Sequence, residues 1–304
     1  MPEQIPDPHP APVGAPSLEE AVMAAPHPSS DVTGAVPGAA PDPRAPRGER
    51  EPSVFPLRFT SDAPAMIAFL RLLGMAPAVT GGKESYGELV AGAGRVMIHS
   101  VSGAESGARA VDTDLCFSVP DTDAAAAELR TRGFAVDVWD ETYGRQGVIT
   151  LPTGESVGLN EHQRDLYGYR GHDASAADPR LTVTAVLSSA DFAADADWAA
   201  RLGFVAEDRG TEGYRALRGG DGAGVIGLHT PLPDGRRARS TGTEFGDSLQ
   251  VHLGFETSED LEELAERLRA AGHPAEVGEE GGVRAVRVTD PDGEPLEIHP
   301  RPVP

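Results

Sequence analysis

Four stretches of the chain share one arrangement of apolar and polar positions. Each opens on an aspartate and reaches a glycine twelve residues later: Asp62 to Gly74, Asp121 to Gly133, Asp191 to Gly203 and Asp260 to Gly272. Between these ends, Ile67/Leu70, Ala125/Leu129, Phe192/Ala199/Leu202 and Leu261/Leu264/Leu268 recur at helical spacing. The spacing predicts four helices of one length. Aspartate accepts hydrogen bonds from the free N–H groups of a helix start, and glycine takes the left-handed conformation that closes a helix. Ser258 is an equally good cap for the fourth. The residue after the glycine is apolar in three copies, Met75, Phe134 and Phe204, as a helix closure of this kind prefers.

Ahead of each helix lies a β-like run: SVFPLRF, TDLCFSV, LTVTAVLSS and SLQVHLGF. Behind them come GRVMIHSV, AVDVW, GVITL, GVIGLHT and VRAVRVT, with hairpin turns expected at Thr153–Gly154 and Asp292–Gly293. The repeating unit is therefore strand, helix and about three strands, four times over. The glycine-rich pieces AGAGR and GGDGAG lack a following Gly-Lys-Ser/Thr and read as turns, not phosphate loops.

Composition sets the frame around these units. Residues 1–52 are rich in Pro, Ala and Gly and bury too little to offset the entropy of ordering, so a disordered tail is expected there. Residues 163–179 read as a polar linker. That leaves two blocks, 53–162 and 180–301. The net charge of −22 excludes nucleic acid and anionic lipid as main partners, because both require a positive field. There is no long apolar run to span a membrane, and the first residues lack the pattern of a secretory signal. A lone cysteine, Cys116, excludes an intrachain disulfide framework and fits a reducing cytoplasm.

The stretches VHLGFETSED (251–260) and TDPDGEPLEI (289–298), with DLCFSVPD (114–121) and LPTGESVGL (151–159) in the first block, resemble the vicinal oxygen chelate superfamily, which includes glyoxalases, bleomycin-resistance proteins and dioxygenases. The resemblance implies an α+β fold in which two βαβββ modules pair into one domain, their curved sheets enclosing a cup. Four modules then make two tandem domains.

Catalytic relatives hold a divalent metal through His or Gln and Glu on the first and last strands of paired modules. In the second block the resemblance places His252 and Glu297 as metal ligands, with Thr184 where a first histidine is expected and Gly227 where a lyase carries a further glutamate. A third ligand would come from His229 or His299, and the metal would be Zn, Ni, Fe or Mn. The alternative is that His252 and Glu297 persist as a polar pair without metal. In the first block Phe55, Asp114 and Gly158 stand at the ligand positions, so no metal is expected there.

Strand alternation turns Leu115, Phe117 and Val119 toward the helices and Asp114, Cys116, Ser118, Gly158 and Asn160 toward the cup, beside Arg95, Met97 and His99. Trp139, Arg95, His99, Asp114 and Asn160 are the expected ligand contacts of this block. Trp139 reads either as a stacking platform or as a packed residue, and Trp198 as a core or interface residue. Cys116 lacks the partners of a nucleophile. Arg236, Arg237 and Arg239 read as a solvated loop or as a closure over an anionic ligand.

The expected function is binding of a small organic molecule, of the sequestration or resistance type. The alternative is a metal-dependent lyase, isomerase or dioxygenase working in the second block only. Arg287, standing where ring-cleaving dioxygenases carry a tyrosine, weighs against the last of these. Metal-free general-base catalysis is a third option that no residue set singles out. Two full domains in one chain favour a monomer and leave a homodimer open.

Overall fold

The computed structural model describes residues 51–301 apart from 82–84, 103–107, 142–143, 152–153, 164–165, 167, 232–248 and 281. The expected tail up to residue 50, Thr153 of one expected hairpin turn, and Arg236, Arg237 and Arg239 lie outside the described residues.

The four units follow one another along the chain. The first holds β1 (Ser53–Val54), β2 (Leu57–Thr60), α1 (Ala63–Leu73), β3 (Ala76–Thr80), β4 (Tyr86–Val90) and β5 (Arg95–Ser100). The second holds β6 (Thr113–Asp114), β7 (Cys116–Val119), α2 (Thr122–Thr131), β8 (Ala135–Glu141), β9 (Gly144–Thr150) and β10 (Ser156–Glu161). After the two-residue β11 (Arg170–Gly171), the third holds β12 (Leu181–Ser188), α3 (Phe192–Leu202), β13 (Val205–Thr211), β14 (Tyr214–Arg218) and β15 (Val225–His229). The fourth holds β16 (Val251–Thr257), α4 (Leu261–Ala270), β17 (Ala275–Glu280), β18 (Val283–Thr289) and β19 (Pro295–Pro300).

The helices begin and end where the aspartates and glycines predict. Asp62, Asp121, Asp191 and Asp260 are the N-caps, each accepting a backbone N–H of the first turn. Asp260, not Ser258, caps the fourth. Gly74, Gly133, Gly203 and Gly272 all have positive φ. The N–H beyond each of them returns to the last turn of its helix: Met75 to Leu70, Phe134 to Leu129, Phe204 to Ala199 and His273 to Leu268. One closure motif thus recurs four times.

In the second block the two units join through β12 and β16, giving one eight-stranded sheet in the order β13-β14-β15-β12-β16-β19-β18-β17. The first block follows the same order but its sheet is split in two, β1-β7-β10-β9-β8 and β11-β3-β4-β5-β2-β6. The split has a local cause. Pro56 has no N–H to donate, so the ladder breaks between β1 and β2. The partner strand divides opposite, between β6 and β7. The Phe55 N–H still bonds to the Cys116 carbonyl at 2.9 Å, holding the halves together. The expected linker contributes β11, which pairs with the outer edge of β3.

The described residues belong to one compact unit. Leu115, Phe117 and Val119 join the main core while Cys116 joins a separate small cluster, as alternation predicts. The blocks pack crosswise. The Phe117 and Phe204 rings lie 5.8 Å apart, Arg267 Nε donates to the Leu72 carbonyl, and buried Arg58 pairs with buried Asp290 at 2.5 Å. The AGAGR and GGDGAG pieces are turns, as expected, and they also meet at this interface. A Cβ on Gly224 would sit 3.2 Å from the Cα of Gly94, and both residues have positive φ. Trp198 is buried in the core.

Candidate binding site

Strand register shows which positions of the two blocks correspond. Ser53 and Thr182 each lie nine residues before a helix cap (62 − 53 and 191 − 182). They pair with Ser118 and Glu256 respectively. Following the ladders outward matches Phe55 with Thr184, Leu57 with Val186, Phe59 with Ser188, Asp114 with His252 and Gly158 with Glu297. It also matches Met97 with Gly227, His99 with His229 and Tyr86 with Tyr214.

The inner face of the second block encloses a cavity of about 600 Å³. Thr184 and Ser188 of β12, Tyr214 of β14, His229 of β15, His252 and Glu256 of β16, and Glu297 and His299 of β19 all line it. The sequence-predicted residues of this block therefore converge on one space. Its volume suits a small organic ligand.

At one side Arg218 lies between two carboxylates, with Nε 2.5 Å from Glu207 Oε1 and a terminal nitrogen 2.7 Å from Glu256 Oε2. Two negative groups face one positive group there, and Glu256 is buried. Burial, reinforced by Glu256 and Glu207, holds the Tyr214 hydroxyl above the ordinary phenol range. On another side the Glu297 carboxylate meets His299 Nε2 at 3.2 Å and Arg287 Nε at 3.0 Å. These partners, His299 foremost, hold its pKa down to about 2.

The donor set does not fit a divalent metal. Among the described residues no group of three or more His, Cys, Asp or Glu is placed to hold one. Thr184 occupies the first ligand position with a hydroxyl. A side chain at Gly227 would run into the Tyr214 ring, its Cβ only 2.8 Å from the hydroxyl oxygen. The guanidinium of Arg287 already neutralises Glu297, and it would repel a second cation at that carboxylate.

The residues expected to contact ligand in the first block stand on the inner faces of its two half-sheets. On β5, Arg95 pairs with Glu88 at 3.8 Å. Burial raises the Glu88 carboxyl and lowers the Arg95 guanidinium despite their attraction. His99 packs against the Phe59 and Tyr86 rings. Asp114 is buried on β6. Asn160 accepts from Gln146 at 2.7 Å, and Trp139 Nε1 donates to Glu141. Between the half-sheets Leu57, Phe59 and Cys116 pack with Met97, Val101 and Ala108.

Two features went unseen in the sequence. One is the Arg218 cluster, assembled from three strands with no local motif. The other is a repeated Tyr–His pair. Tyr86–His99 and Tyr214–His229 face each other across equivalent strands, and each histidine Nδ1 bonds the next residue's carbonyl, at 2.8 and 2.6 Å. Aligning the first and third units on their Asp caps misses it by one residue, since Tyr86 and Tyr214 lie 24 and 23 residues on (86 − 62, 214 − 191) and His99 and His229 lie 37 and 38 (99 − 62, 229 − 191).

No family model matches the chain, and no curated protein matches it by sequence. Solved structures do. The 2,3-dioxygenase LapB from a Pseudomonas species aligns with a TM-score of 0.51 at 15% identity, over 84% of this chain and 94% of that one. An extradiol ring-cleaving dioxygenase from B. fuscum aligns at 0.53 with 14% identity, over 86% and 75%. The homoprotocatechuate 2,3-dioxygenase from Arthrobacter globiformis aligns at 0.50 with 14% identity, over 86% and 83%. At such identities the likeness speaks for fold alone, and the chain has the α+β, four-module βαβββ fold of the vicinal oxygen chelate superfamily.

Proposed function

We propose that the protein binds a small organic molecule in the cup of its second block, at residues 180–301, and does so without a metal. The observation that carries the reading is the cavity of about 600 Å³, lined by Thr184 at the first ligand position and by a Glu297 already neutralised by Arg287. Sequestration or transport of the molecule needs no more than this.

A metal-dependent oxygenase or lyase in the same cup is the second reading. It is favoured by the fold likeness to ring-cleaving dioxygenases and by His252 and Glu297 on adjacent strands. Metal analysis of the purified protein, beside His252→Ala, separates the two. The binding reading expects substoichiometric Fe, Mn, Zn and Ni, and retained uptake of 1-naphthylmethanol after chelator treatment. One metal per chain that is lost in His252→Ala would overturn it.

A further inference from the structure

We infer that the molecule taken up by the second cup is an organic cation, an amine carried on an apolar body. The inference rests on the binding reading above and names the chemical class of its ligand.

The charges on the cavity wall are one-sided. Glu207, Glu256, Glu294 and Glu297 line it, and no lysine or arginine does so among the described residues. The two guanidiniums behind the wall leave an excess. Arg218 is shared by Glu207 and Glu256, and Arg287 serves Glu297. Glu294 has no ion-pair partner among the described residues. Among the described residues the cup thus holds four carboxylates against two guanidiniums, and one of the carboxylates, Glu256, is buried. A carboxylate in a desolvated wall attracts a cation far more strongly than one on an open surface.

A second, independent feature points to a ligand. Thr184, a residue of the cavity wall, is only 3% exposed, and its buried hydroxyl oxygen has no hydrogen-bond partner among the described residues. Buried hydroxyls without partners are uncommon, because each forfeits its bonds to water. Turned about its Cα–Cβ bond toward the cavity, this hydroxyl would accept from a ligand ammonium that also meets the Glu256 carboxylate on the neighbouring strand. Val186, Ala216, Leu253 and the Tyr214 ring supply the apolar surface for the remainder of the molecule. A ring face beside an ammonium adds cation–π attraction.

Three probes of one shape test this: 1-naphthylmethylamine as cation, 1-naphthylmethanol as neutral isostere and 1-naphthoate as anion. Each is titrated by fluorescence against the full chain at low and high salt. The amine is expected to bind at least about tenfold tighter than the alcohol, a difference of about 1.4 kcal/mol, and the naphthoate weakest. The amine-to-alcohol affinity ratio should shrink severalfold in Glu256→Gln. Glu294→Gln, at a half-buried site, repeats the comparison should the Glu256 variant fold poorly, and is expected to narrow the ratio by a smaller factor. Equal affinity for amine and alcohol, or preference for naphthoate, overturns the cation assignment and leaves the binding reading standing. Saturable binding of none of the three overturns both.

Discussion

The two cups are built from the same strands in the same order, yet their inward side chains differ. Where the first block places Phe55, Leu57 and Phe59 along its central strand, the second places Thr184, Val186 and Ser188. Met97 in the first stands where Gly227 stands in the second. The larger apolar groups Leu57 and Phe59 pack with Cys116 into a small separate cluster. The smaller set leaves about 600 Å³ in the second. Pro56 adds to the contrast, splitting one sheet where the other runs unbroken. A duplicated scaffold therefore does not carry duplicated side chains at its inward positions.

The largest expected effect comes from the buried Phe59 ring of the first block. Phe59→Ala removes a ring that is 3% exposed, at a cost of about 3–5 kcal/mol for such a deletion. Ser188→Ala at the equivalent position of the second block should cost about 0.5 kcal/mol or less. Paired denaturant unfolding curves check the contrast, and equal losses would mean that the two cups are packed alike.

Next comes Gly227→Ala, which pushes a methyl against the Tyr214 ring. Overpacking of this kind costs about 1–3 kcal/mol. In Tyr214→Ala, with the ring gone, the same change should cost much less. A double-mutant cycle by thermal unfolding reads the coupling, and strict additivity would place the ring elsewhere.

The smallest effect is electrostatic. The pKa of Glu297 is lowered from 4.5 to about 2 in the folded chain, by His299 first and then by Arg287. A depressed carboxylate contributes stability that is present above its unfolded value and is lost as pH falls from about 4.5 toward 2. Both partners are partly exposed, so the contribution is under about 1 kcal/mol. His299→Gln should raise the Glu297 carboxyl toward its ordinary value, followed by its ¹³C chemical shift against pH, and should flatten the stability slope over that window. Gly158 occupies the matching position in the first block, which has no such titration to lose. An unchanged Glu297 titration would remove His299 as the cause.

Much of this fold is legible in the sequence, because it is specified locally. The caps Asp62, Asp121, Asp191 and Asp260 and the closing glycines act over a single turn of chain. The alternation that turns Cys116 away from Phe117 needs only its own strand. The ligand-position residues His252, Glu297, His229 and His299 were legible through the resemblance, and the structure gathers them in one cavity. What the sequence could not show depends on register between distant strands. Tyr214 covering Gly227, Arg218 bridging Glu207 and Glu256, and Arg287 meeting Glu297 are contacts between separate elements with no shared motif. The cavity of the second block is likewise a sum over strands far apart in sequence.

The proposal that the second cup holds a ligand without a metal is tested by placing the Phe59 side chain of the first block at Ser188, its register equivalent in the second. Chelator-treated wild-type protein and Ser188→Phe are titrated with 1-naphthylmethylamine under identical conditions. The account predicts one saturable site in the metal-free wild type and at least about a tenfold loss of affinity in Ser188→Phe, with the fold retained. Binding that Ser188→Phe leaves intact, or that appears in the wild type only when a divalent metal is restored, would contradict it.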